Sequence, residues 1–365
     1  MTVIRAVRAA AYRVPTDRPE ADGTLAWDAT TLVTAETDAE EVTGVGWTYA
    51  PAVAASFVAE TLAATVTGAD ALDIPAVWTA MVGQVRNAGR PGIAGYAISA
   101  LDVALWDLKA RLLGLPLGRL FGLARPDVPV YGSGGFTTYD DATTEAQLGH
   151  WVHDQGIPRV KIKIGESRGT ASDRDLHRVR LARRVIGGDA ALYVDANGGY
   201  GAKQAIRLAG RMRDQDVSWF EEPVSSDDLP GLRLVRDRID ADVAAGEYGC
   251  DLTYFVRMCQ AGAVDCLQID ATRCGGYTGW FGAAAVADAH HLQVSAHCGP
   301  NLHLPAAAAT PNLRHIEWFH DHVRIESELF EGAADPAGGT VRPRPDVPGH
   351  GLTPRRDVAA EYRVA

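Results

Sequence analysis

Three carboxylates at equal spacing constrain the fold of this chain more than any other feature. Asp195, Glu221 and Glu247 follow one another at intervals of 26 residues, and each closes a short run of apolar or small residues. Such runs are typical of buried strands, and the interval between them has room for one helix and two loops, as in a βα unit. Three successive parallel strands would therefore each present a carboxylate at the carboxyl end, where (β/α)₈ barrels keep their chemistry.

Carboxylates that converge on one point repel each other, and proteins usually relieve the repulsion with a hard divalent cation that takes oxygen ligands. The pattern therefore predicts a Mg²⁺ site formed by these three residues. The alternative is that each acidic residue caps the next helix or lies on the surface. That explanation is common for one acidic strand end, but it accounts poorly for three at equal spacing.

The length and composition indicate an ordinary globular protein with more than one domain. A chain of 365 residues has room for a barrel of about 250 residues and a second domain. Its hydrophobic fraction is 47%, its charged fraction is 22%, and its net charge of −11 comes without a basic run. We therefore expect neither nucleic acid nor an anionic membrane as a partner. No apolar run approaches the length of about 18 residues that a membrane-spanning helix needs.

The five cysteines form no CxxC pair, and the start of the chain does not have the pattern of a signal peptide. Both features predict a cytoplasmic protein. We expect each cysteine to be a buried free thiol, including Cys298, which follows a candidate catalytic histidine.

Residues 1–125 lack the βα rhythm and predict an α+β domain of strands followed by helices. A segment rich in Pro, Asp and Gly, residues 15–27, indicates a loop long enough to be a mobile lid. Asp102 and Asp107 lie within the clearest helix, where a solvent-facing position or a structural hydrogen bond would explain both. The predicted strands are 2–14, 32–37 and 41–49, and the predicted helices are 52–65, 74–85 and 95–113.

From residue 130 the chain alternates strand-like and helix-like segments, which predicts an α/β fold with a complete (β/α)₈, TIM-like barrel. Helical stretches such as 173–186 and 202–213 separate the strands, and 126–129 is the expected linker. The Gly- and Pro-rich tail is too irregular for a ninth unit, and we expect it to pack back on the N-terminal domain. The expected divisions are a capping domain at 1–125, a barrel at 126–320 and a returning segment at 321–365. The predicted strands are 130–133, 160–164, 192–195, 219–221, 243–247, 264–270, 293–297 and 315–317.

Lys161 and Lys163 lie two residues apart on the second barrel strand and so project from the same face. If that face is the barrel interior, each ammonium group lowers the pKa of the other, as a general base near pH 7 requires. An exposed edge strand is the alternative explanation. The strand is too apolar and too central in the βα series for an edge, and this favours a catalytic role.

Asp270, His297 and Glu317 end the sixth, seventh and eighth strands. Because neighbouring strands place their ends side by side, Asp270 can accept a ring N–H of His297 and raise the basicity of the imidazole. Glu317 can hydrogen-bond a developing enediolate if it is protonated, although a surface acid would also explain it. Glu222 should point to the other face of its strand by alternation, and we leave it out of the metal set.

Lys163 and His297 would then lie on opposite sides of the cation. A carboxylate substrate bound there would have its α-carbon between two proton-transfer groups. Because the α-proton of a carboxylate is a very weak acid, the cation and hydrogen bonds to the resulting enediolate would have to supply the missing stabilisation.

Several short motifs occur in one order and cover nearly the whole chain. They are ISALDVALWDL at 98–108, KIK at 161–163, VDAN at 194–197, FEEP at 220–223, AGE at 245–247, Asp270 with RCGG at 273–276, and SAH at 295–297. With these motifs in this order, the chain resembles the enolase superfamily and, within it, the mandelate racemase-type subgroup (the mandelate racemase/muconate lactonizing enzyme family).

The resemblance implies an N-terminal capping domain over the barrel mouth, one Mg²⁺ per active site, and a small-molecule carboxylate as substrate. It also implies a symmetric homo-oligomer, an octamer or a dimer. The implied metal ligands are Asp195, Glu221 and Glu247. The implied catalytic residues are Lys163 with Lys161 tuning it, His297 with Asp270, and Glu317 as the electrophilic partner. The expected substrate contacts are Asn197, Ser133 and, in the lid, Trp27.

Dehydration is the reaction that the resemblance favours. If a β-hydroxyl leaves with a proton from His297, an acid sugar or related hydroxy acid becomes a 2-keto acid. The alternative is a racemase or epimerase that acts on an α-substituted carboxylate by two-base proton transfer. Both bases are present, and the lid residues Leu25, Ala26 and Trp27 are partly apolar, which keeps this alternative open. A non-catalytic metal- or ligand-binding protein is less favoured, because the lysine and histidine–aspartate sets are intact.

Overall fold

The computed structural model describes residues 2–365 and divides them between an antiparallel sheet with helices and a parallel barrel. The first sheet has the order β1 (Ile4–Ala21), β2 (Ala26–Ala39) and β3 (Val42–Tyr49). The helices that follow are α1 (Val53–Phe57), α2 (Ala63–Val66), α3 (Ile74–Gln84), α4 (Ile93–Leu112) and α5 (Leu117–Phe121), with a π-helical turn at Val58–Leu62 between α1 and α2. The predicted α+β capping region is therefore confirmed.

The prediction of a loop at residues 15–27 is wrong, because most of this segment belongs to the β1–β2 hairpin. Only 22–25 form the turn, where Asp22 Oδ1 accepts a hydrogen bond from the Leu25 N–H at 2.8 Å. The ladder is interrupted between Pro15 and Glu20, so residues 16–19 bulge out of it. Because β1 is an edge strand of its sheet, a bulge and prolines are tolerated there, and a loop-like composition does not prevent pairing.

Two glycines of β3 let α4 approach the sheet closely. A Cβ atom at Gly44 would lie 2.3 Å from the Ala104 carbonyl oxygen, and one at Gly46 would lie 2.2 Å from that of Ala100. Any side chain at either glycine would therefore push α4 off the sheet. The buried face of α4 contributes much of the core of the capping region.

Eight parallel strands form the barrel, and the pairing of the last with the first closes it. This confirms the predicted (β/α)₈ fold. The strands are β4 (Val128–Gly134), β5 (Arg159–Lys163), β6 (Ala191–Asp195), β7 (Val217–Glu221), β8 (Asp242–Ala245), β9 (Cys266–Ile269), β10 (Gln293–Ala296) and β11 (Leu313–Phe319). The helices are α6 (Asp141–Gly149), α7 (Glu166–Gly169), α8 (Ser172–Ile186), α9 (Ala202–Met212), α10 (Leu229–Arg236), α11 (Leu252–Gln260), α12 (Gly276–Ala289), α13 (Pro300–Ala309) and α14 (His320–Leu329), with a π-helical turn at His150–Asp154 and a 3₁₀ turn at Arg213–Gln215.

The tail returns to both sheets after α14. β12 (Phe330–Glu331) pairs with β14 (Thr353–Pro354), β13 (Thr340–Val341) pairs with β4, and α15 (Arg356–Ala360) follows. The last residues run along β1, where the Arg13 N–H donates to the Tyr362 carbonyl at 2.8 Å and the Val364 N–H to that of Ala11 at 2.8 Å. The tail thus covers the free edge of the capping sheet, as the sequence predicts.

Between residues 2 and 365, no helix is both long and apolar enough to cross a membrane. All five cysteines are free, and four of them are buried. Cys250 is the exception, since it is partly exposed. The expectation of a buried thiol is therefore correct for four of the five positions.

Asp102 and Asp107 on α4 are buried and make structural hydrogen bonds, which excludes the solvent-facing alternative. Asp107 accepts hydrogen bonds from the Val45 N–H on β3, at 2.9 Å, and from Arg111 Nε, at 2.6 Å. Asp102 accepts from the N–H of Thr278 at 3.0 Å and from its hydroxyl at 2.6 Å, and so joins α4 to α12 of the barrel. Burial raises the pKa of Asp102 to about 7, although the hydrogen bonds from Thr278 oppose the shift.

We expect the buried Asp102 carboxyl to make the wild-type protein less stable as pH rises, and Asp102→Asn to remove this loss. The folded-state pKa is about 7, whereas an unfolded aspartate has a pKa of about 3.9. Between these values the folded state binds more protons, so the free energy of unfolding falls as pH rises, by up to about 1.4 kcal/mol per pH unit. The asparagine amide stays neutral, and it can donate to the Thr278 hydroxyl while its oxygen accepts from the Thr278 N–H.

Urea denaturation between pH 4.5 and pH 8 would measure this effect. The stability of the variant relative to the wild type should increase with pH. Asp173→Asn, at an exposed position of α8, is the control and should follow the wild type at every pH. A pH-independent difference between wild type and Asp102→Asn would contradict the prediction.

Candidate active site

The carboxyl ends of the barrel strands bring the predicted ionisable residues into one buried site. The strand register places Lys163 beside Asp195, and Asp195 beside Glu221. All the side chains of the set are buried, so water screens the interactions between their charges only weakly. The other members are Lys161 on β5, Glu247 after β8, Asp270 after β9, His297 after β10 and Glu317 on β11.

The two lysines of β5 form ion pairs with carboxylates of β6 and β7. The ammonium of Lys163 donates a hydrogen bond to Asp195, and that of Lys161 donates to Glu221. Lys161 Nζ also lies 2.8 Å from Glu317 Oε1 and 3.6 Å from Asp195 Oδ2. Lys161 therefore connects the predicted metal set with Glu317 on β11, two strands away around the barrel.

The pKa values of both lysines lie above the ordinary value, contrary to the sequence argument. Burial lowers the pKa of Lys163, and the Lys161 ammonium lowers it further, as expected, but the carboxylates around it, Asp195 foremost with Glu221 and Glu317, together raise it by more. Burial likewise lowers the pKa of Lys161, which the charges of Glu221 and Glu317 outweigh. The carboxylates that face the two ammonium groups come from other strands, and they account for the difference.

His297 and Asp270 form the predicted pair. His297 Nδ1 and Asp270 Oδ2 are 2.8 Å apart. Burial alone would raise the pKa of Asp270, but the hydrogen bond from His297 and the charge of Arg273 hold it well below its usual range. A charged Asp270 accepts the Nδ1–H of His297, so that Nε2 is the nitrogen presented to the site, 3.3 Å from Glu247 Oε2 and 3.2 Å from Cys298 Sγ.

Glu317 accepts hydrogen bonds at both oxygens. Ser133 Oγ donates to Oε1 at 2.6 Å, and the Cys298 N–H donates to Oε2 at 2.7 Å. Burial alone would raise the pKa of Glu317, but the charge of Lys161 holds it well below its usual range. Ser133, which the sequence offers as a substrate contact, is fully buried and supports Glu317.

The carboxylates of Asp195, Glu221 and Glu247 provide an all-oxygen donor set, which is the chemistry that Mg²⁺ selects. Glu247 Oε2 is buried and, among residues 2–365, has no partner in hydrogen-bond geometry. A buried carboxylate oxygen of this kind requires a cation or a donor. The residues present therefore fit a Mg²⁺ ion.

Glu222 belongs to this end of the barrel, although strand alternation predicted the opposite face. β7 ends at Glu221, and Glu222 has a left-handed backbone with φ of 38°, so alternation no longer applies to it. Its side chain is buried and lines the neighbouring cavity. Burial and the charges of Glu247 and Asp195 raise its pKa well above the ordinary value.

A cavity of about 720 Å³ opens beside the carboxylate set, between the capping region and the barrel loops. We keep the name lid for residues 15–27 of the β1–β2 hairpin. Leu25 of the lid and Tyr96 of α4 form one side of the cavity, and Asn197, Glu222 and Tyr248 lie on the barrel side. Asn197 Oδ1 and Glu222 Oε1 are buried and have no hydrogen-bond partner within residues 2–365. Two side chains that line the cavity therefore each carry an unpaired polar oxygen, for which a ligand rich in hydroxyl groups would supply partners.

An apolar wall lies on the lysine side of the site. Trp27 of the lid packs edge-on against Phe136 with ring centroids 5.6 Å apart, and Phe136 packs in the same way on Phe319 at 5.7 Å. Lys163 Nζ lies 5.9 Å from the centre of the Phe319 ring. Trp27 Nε1 donates to Glu20 Oε2 at 2.8 Å, which fixes the orientation of the indole.

Two residues whose contacts the sequence did not predict hold the histidine side of the site. Arg273 Nε lies 3.3 Å from Asp270 Oδ2, and its Nη1 lies 3.3 Å from Glu247 Oε1. His303 accepts the Ala271 N–H at Nε2, at 2.8 Å, and packs beneath Asp270. The three-residue spacing of Asp270 and Arg273 could have indicated their ion pair. In the sequence analysis Arg273 enters only as part of a motif.

The chain matches two descriptions of one family. Residues 7–122 match the mandelate racemase / muconate lactonizing enzyme N-terminal domain, and residues 143–358 match the enolase C-terminal domain-like family. The chain therefore belongs to the mandelate racemase/muconate lactonizing enzyme family of the enolase superfamily.

Two relatives are similar to this chain over most of their length. The 3,6-anhydro-alpha-L-galactonate cycloisomerase of Streptomyces coelicolor is 32% identical over 361 residues, which cover 96% of each chain. The L-talarate/galactarate dehydratase of Salmonella typhimurium is 30% identical over 298 residues, which cover 79% of this chain and 73% of the relative.

Solved structures agree with this assignment. A mandelate racemase/muconate lactonizing enzyme-like protein from Rubrobacter xylanophilus superposes with a TM-score of 0.95 at 47% identity and covers 99% of both chains. A racemase from Streptomyces coelicolor A3(2) with bound magnesium has a TM-score of 0.92 at 31% identity and covers 99% of this chain and 100% of its own. The predictions of an enolase-superfamily lyase or racemase and of a Mg²⁺ cofactor are confirmed.

We expect Glu247→Gln to weaken Mg²⁺ binding by at least about tenfold, because a neutral amide replaces a charged oxygen ligand. Isothermal titration calorimetry with MgCl₂ would measure the dissociation constant. Glu145→Gln, on an exposed turn of α6, is the control and should bind Mg²⁺ as the wild type does. Equal affinity in all three proteins would remove Glu247 from the ligand set.

Proposed function

We propose that this enzyme removes the α-proton of a carboxylate substrate and then eliminates water, as a dehydratase of an acid sugar or related hydroxy acid. The observation that carries the proposal is the placement of two proton-transfer groups at opposite ends of the carboxylate set. Lys163 bonds to Asp195, and His297 Nε2 lies 3.3 Å from Glu247. A substrate carboxylate held at that set would have its α-carbon between the two groups.

Asp195, Glu221 and Glu247 would hold the Mg²⁺ ion, which supplies positive charge next to the substrate carboxylate as negative charge develops there. When these carboxylates hold a cation, they no longer need the ammonium groups of the lysines. The pKa-lowering effect of Lys161 on Lys163 then remains, and it favours the neutral amine that a general base requires.

Lys163 takes the α-proton at Nζ. His297 gives the proton on Nε2 to the β-hydroxyl, the carbon–oxygen bond breaks, and water leaves. The resulting enol rearranges to a 2-keto acid. Asp270 keeps the Nδ1–H oriented and stabilises the charged imidazole before the transfer. Glu317 would donate a hydrogen bond to the substrate carboxylate only in its protonated form, and the charge of Lys161 opposes that form. Ser133 holds the side chain in place.

The lining of the cavity supports a polyhydroxy substrate. Asn197 Oδ1 and Glu222 Oε1 are buried without hydrogen-bond partners among residues 2–365, and the hydroxyl groups of an acid sugar, which both donate and accept, would supply them. The names of the two relatives, a talarate/galactarate dehydratase and an anhydrogalactonate cycloisomerase, support the same substrate class.

A racemase or epimerase of an α-substituted carboxylate is the second candidate. The apolar wall of Trp27, Phe136 and Phe319 beside Lys163 favours it, because the wall could pack against an apolar substituent. The reaction would use the same two groups, with one taking the α-proton and the other returning a proton to the opposite face. The relatives with sugar-acid names make dehydration the first choice.

We further propose a cytoplasmic homo-oligomer, an octamer or a dimer. The five free cysteines are consistent with a reducing compartment. The symmetric assembly is the expectation that accompanies the family. Sedimentation of the purified protein would measure its mass in solution.

Incubation with Mg²⁺ in D₂O and a library of aldonates, aldarates, uronates, α-hydroxy acids and amino-acid derivatives tests the function directly. Proton NMR follows the α-position, and a carbonyl reagent detects 2-keto acid. A keto acid from a sugar acid would support the dehydratase. Deuterium at the α-position without keto acid would favour the racemase or epimerase, and no exchange with any compound would contradict both.

Single variants separate the two proton-transfer roles. Lys163→Ala should reduce both α-proton exchange and keto-acid formation by about 10²- to 10⁴-fold, because its amine takes the proton. His297→Asn should reduce keto-acid formation to a similar extent while leaving α-proton exchange measurable. Lys203→Ala, at an exposed position of α9, is the control. Full keto-acid formation in Lys163→Ala would remove that lysine from the mechanism.

A further inference from the structure

A second cluster of metal-ligating groups lies outside the catalytic site, where the lid meets the barrel. Asp17 and Glu20 come from β1, and His320 begins α14 after the last barrel strand. One ligand atom from each of these three side chains lies within 4.8 Å of the others. We call these three residues the lid cluster.

The bulge in β1 builds this cluster. The ladder with β2 breaks between Pro15 and Glu20, and the extra residues carry Asp17 towards the barrel. The barrel holds the bulge through Arg324, whose Nη2 donates to the Pro15 carbonyl at 2.7 Å, and through Thr138, whose hydroxyl donates to that of Pro19 at 2.6 Å. Hydrogen bonds therefore hold the backbone of the bulge to the barrel at both of its ends.

The surroundings of Glu20 are a second, separate indication that a ligand binds here. Its side chain is fully buried, with 0% exposure, and Oε2 accepts from Trp27 Nε1. Oε1, by contrast, is buried without a hydrogen-bond partner in residues 2–365. A buried carboxylate with an unpaired oxygen takes up a proton or a cation. Burial and the charge of Asp321 raise the pKa of Glu20 to about 9, so a bound cation would replace that proton.

The nearby arginines form hydrogen bonds and salt bridges with other groups and do not contact Glu20 directly. Arg18 donates to the Thr143 hydroxyl at 2.9 Å, and Arg324 pairs with Asp321 at 2.7 Å. In the described part of the chain, neither Lys nor Arg forms a salt bridge with Asp17 or Glu20. The partner of Asp17 is His320, whose Nε2 lies 3.3 Å from both carboxylate oxygens.

We propose that the lid cluster of Asp17, Glu20 and His320 binds a divalent transition-metal cation of the zinc class. One imidazole nitrogen and two carboxylate oxygens suit Zn²⁺ better than Mg²⁺, which favours oxygen ligands. Zinc bonds of about 2.1 Å in a tetrahedron place two ligand atoms about 3.4 Å apart, close to the 3.3 Å between His320 Nε2 and Asp17. A water molecule would complete the coordination.

The cation would fasten the lid to the barrel. Two of its ligands belong to the lid strand and the third to α14, so binding links elements that are far apart in sequence. Glu20 also orients Trp27, which forms part of the apolar wall. A cation bound at this site would therefore restrict motion of the lid over the active site without itself taking part in the reaction.

Calorimetry with ZnCl₂ in saturating Mg²⁺, which fills the first site, tests the proposal on the full-length protein. We expect one Zn²⁺ per chain in the wild type under this condition, and at least tenfold weaker binding after Glu20→Gln or His320→Asn. His177→Asn is the matched control: His177 and Asp141 form an exposed pair at 2.8 Å without a buried third group, and its loss should not change zinc binding.

Hydrogen exchange gives a second measurement that does not depend on activity. Zn²⁺ should slow amide exchange in residues 15–27 of the wild type but not of His320→Asn. Absence of zinc binding in saturating Mg²⁺, or equal zinc affinity in the wild type and in His320→Asn, would overturn the proposal. His320→Asn decides the result if Glu20→Gln does not fold, because His320 is partly exposed and its replacement leaves the buried Glu20–Trp27 contact intact.

Discussion

Repulsion among buried carboxylates is the constraint on which the rest of the site depends. Closure of the barrel forces Asp195, Glu221 and Glu247 together at strand ends where water screens charge poorly. Lys161 and Lys163 relieve part of that repulsion by bonding to Asp195 and Glu221. A buried ion pair is strongly destabilised when one partner is removed, because the other charge is left uncompensated. The lysine-bearing strand is therefore needed for the folded barrel mouth as well as for chemistry, and a cation at the same carboxylates would release its amines for proton transfer.

Buried acids also fix the capping region on the barrel. Glu326 of α14 accepts hydrogen bonds from Trp47 Nε1 at 3.2 Å and from the Tyr49 hydroxyl at 3.1 Å, both on β3. Asp102 makes a similar connection from α4 to α12. Because a misplaced partner would leave a buried carboxyl without hydrogen bonds, these contacts select one docking geometry. The lid hairpin thus has a rigid base, while its tip contacts the barrel through few backbone bonds, such as that from the Arg168 N–H to the Gly23 carbonyl at 2.9 Å.

The order of elements and the convergence of site residues could be predicted because they follow from local patterns. Apolar runs that end in Asp195, Glu221 and Glu247 mark strand ends whatever the rest of the chain does. The errors arise where a distant partner decides the outcome. Residues 15–27 look like a loop until β2 pairs with them, and alternation fails for Glu222 because the strand stops one residue earlier. The pKa values of the lysines depend on carboxylates from other strands, and the bridging role of Arg273 depends on two further strand ends.

The two sides of the site differ in polarity, and this bears on the choice between dehydration and racemisation. The apolar wall reaches Lys163 through Phe319, whereas Asn197 and Glu222, which line the cavity beside the carboxylates, carry buried oxygens without hydrogen-bond partners in residues 2–365. An unpaired buried polar atom costs more than an apolar surface that touches a polar ligand. A substrate without hydroxyl groups would leave both oxygens unpaired, while an acid sugar would pair with them and could still place its carbon–hydrogen faces on the aromatic wall. The polar side therefore sets the stronger demand on the substrate, and that demand favours a polyhydroxy acid.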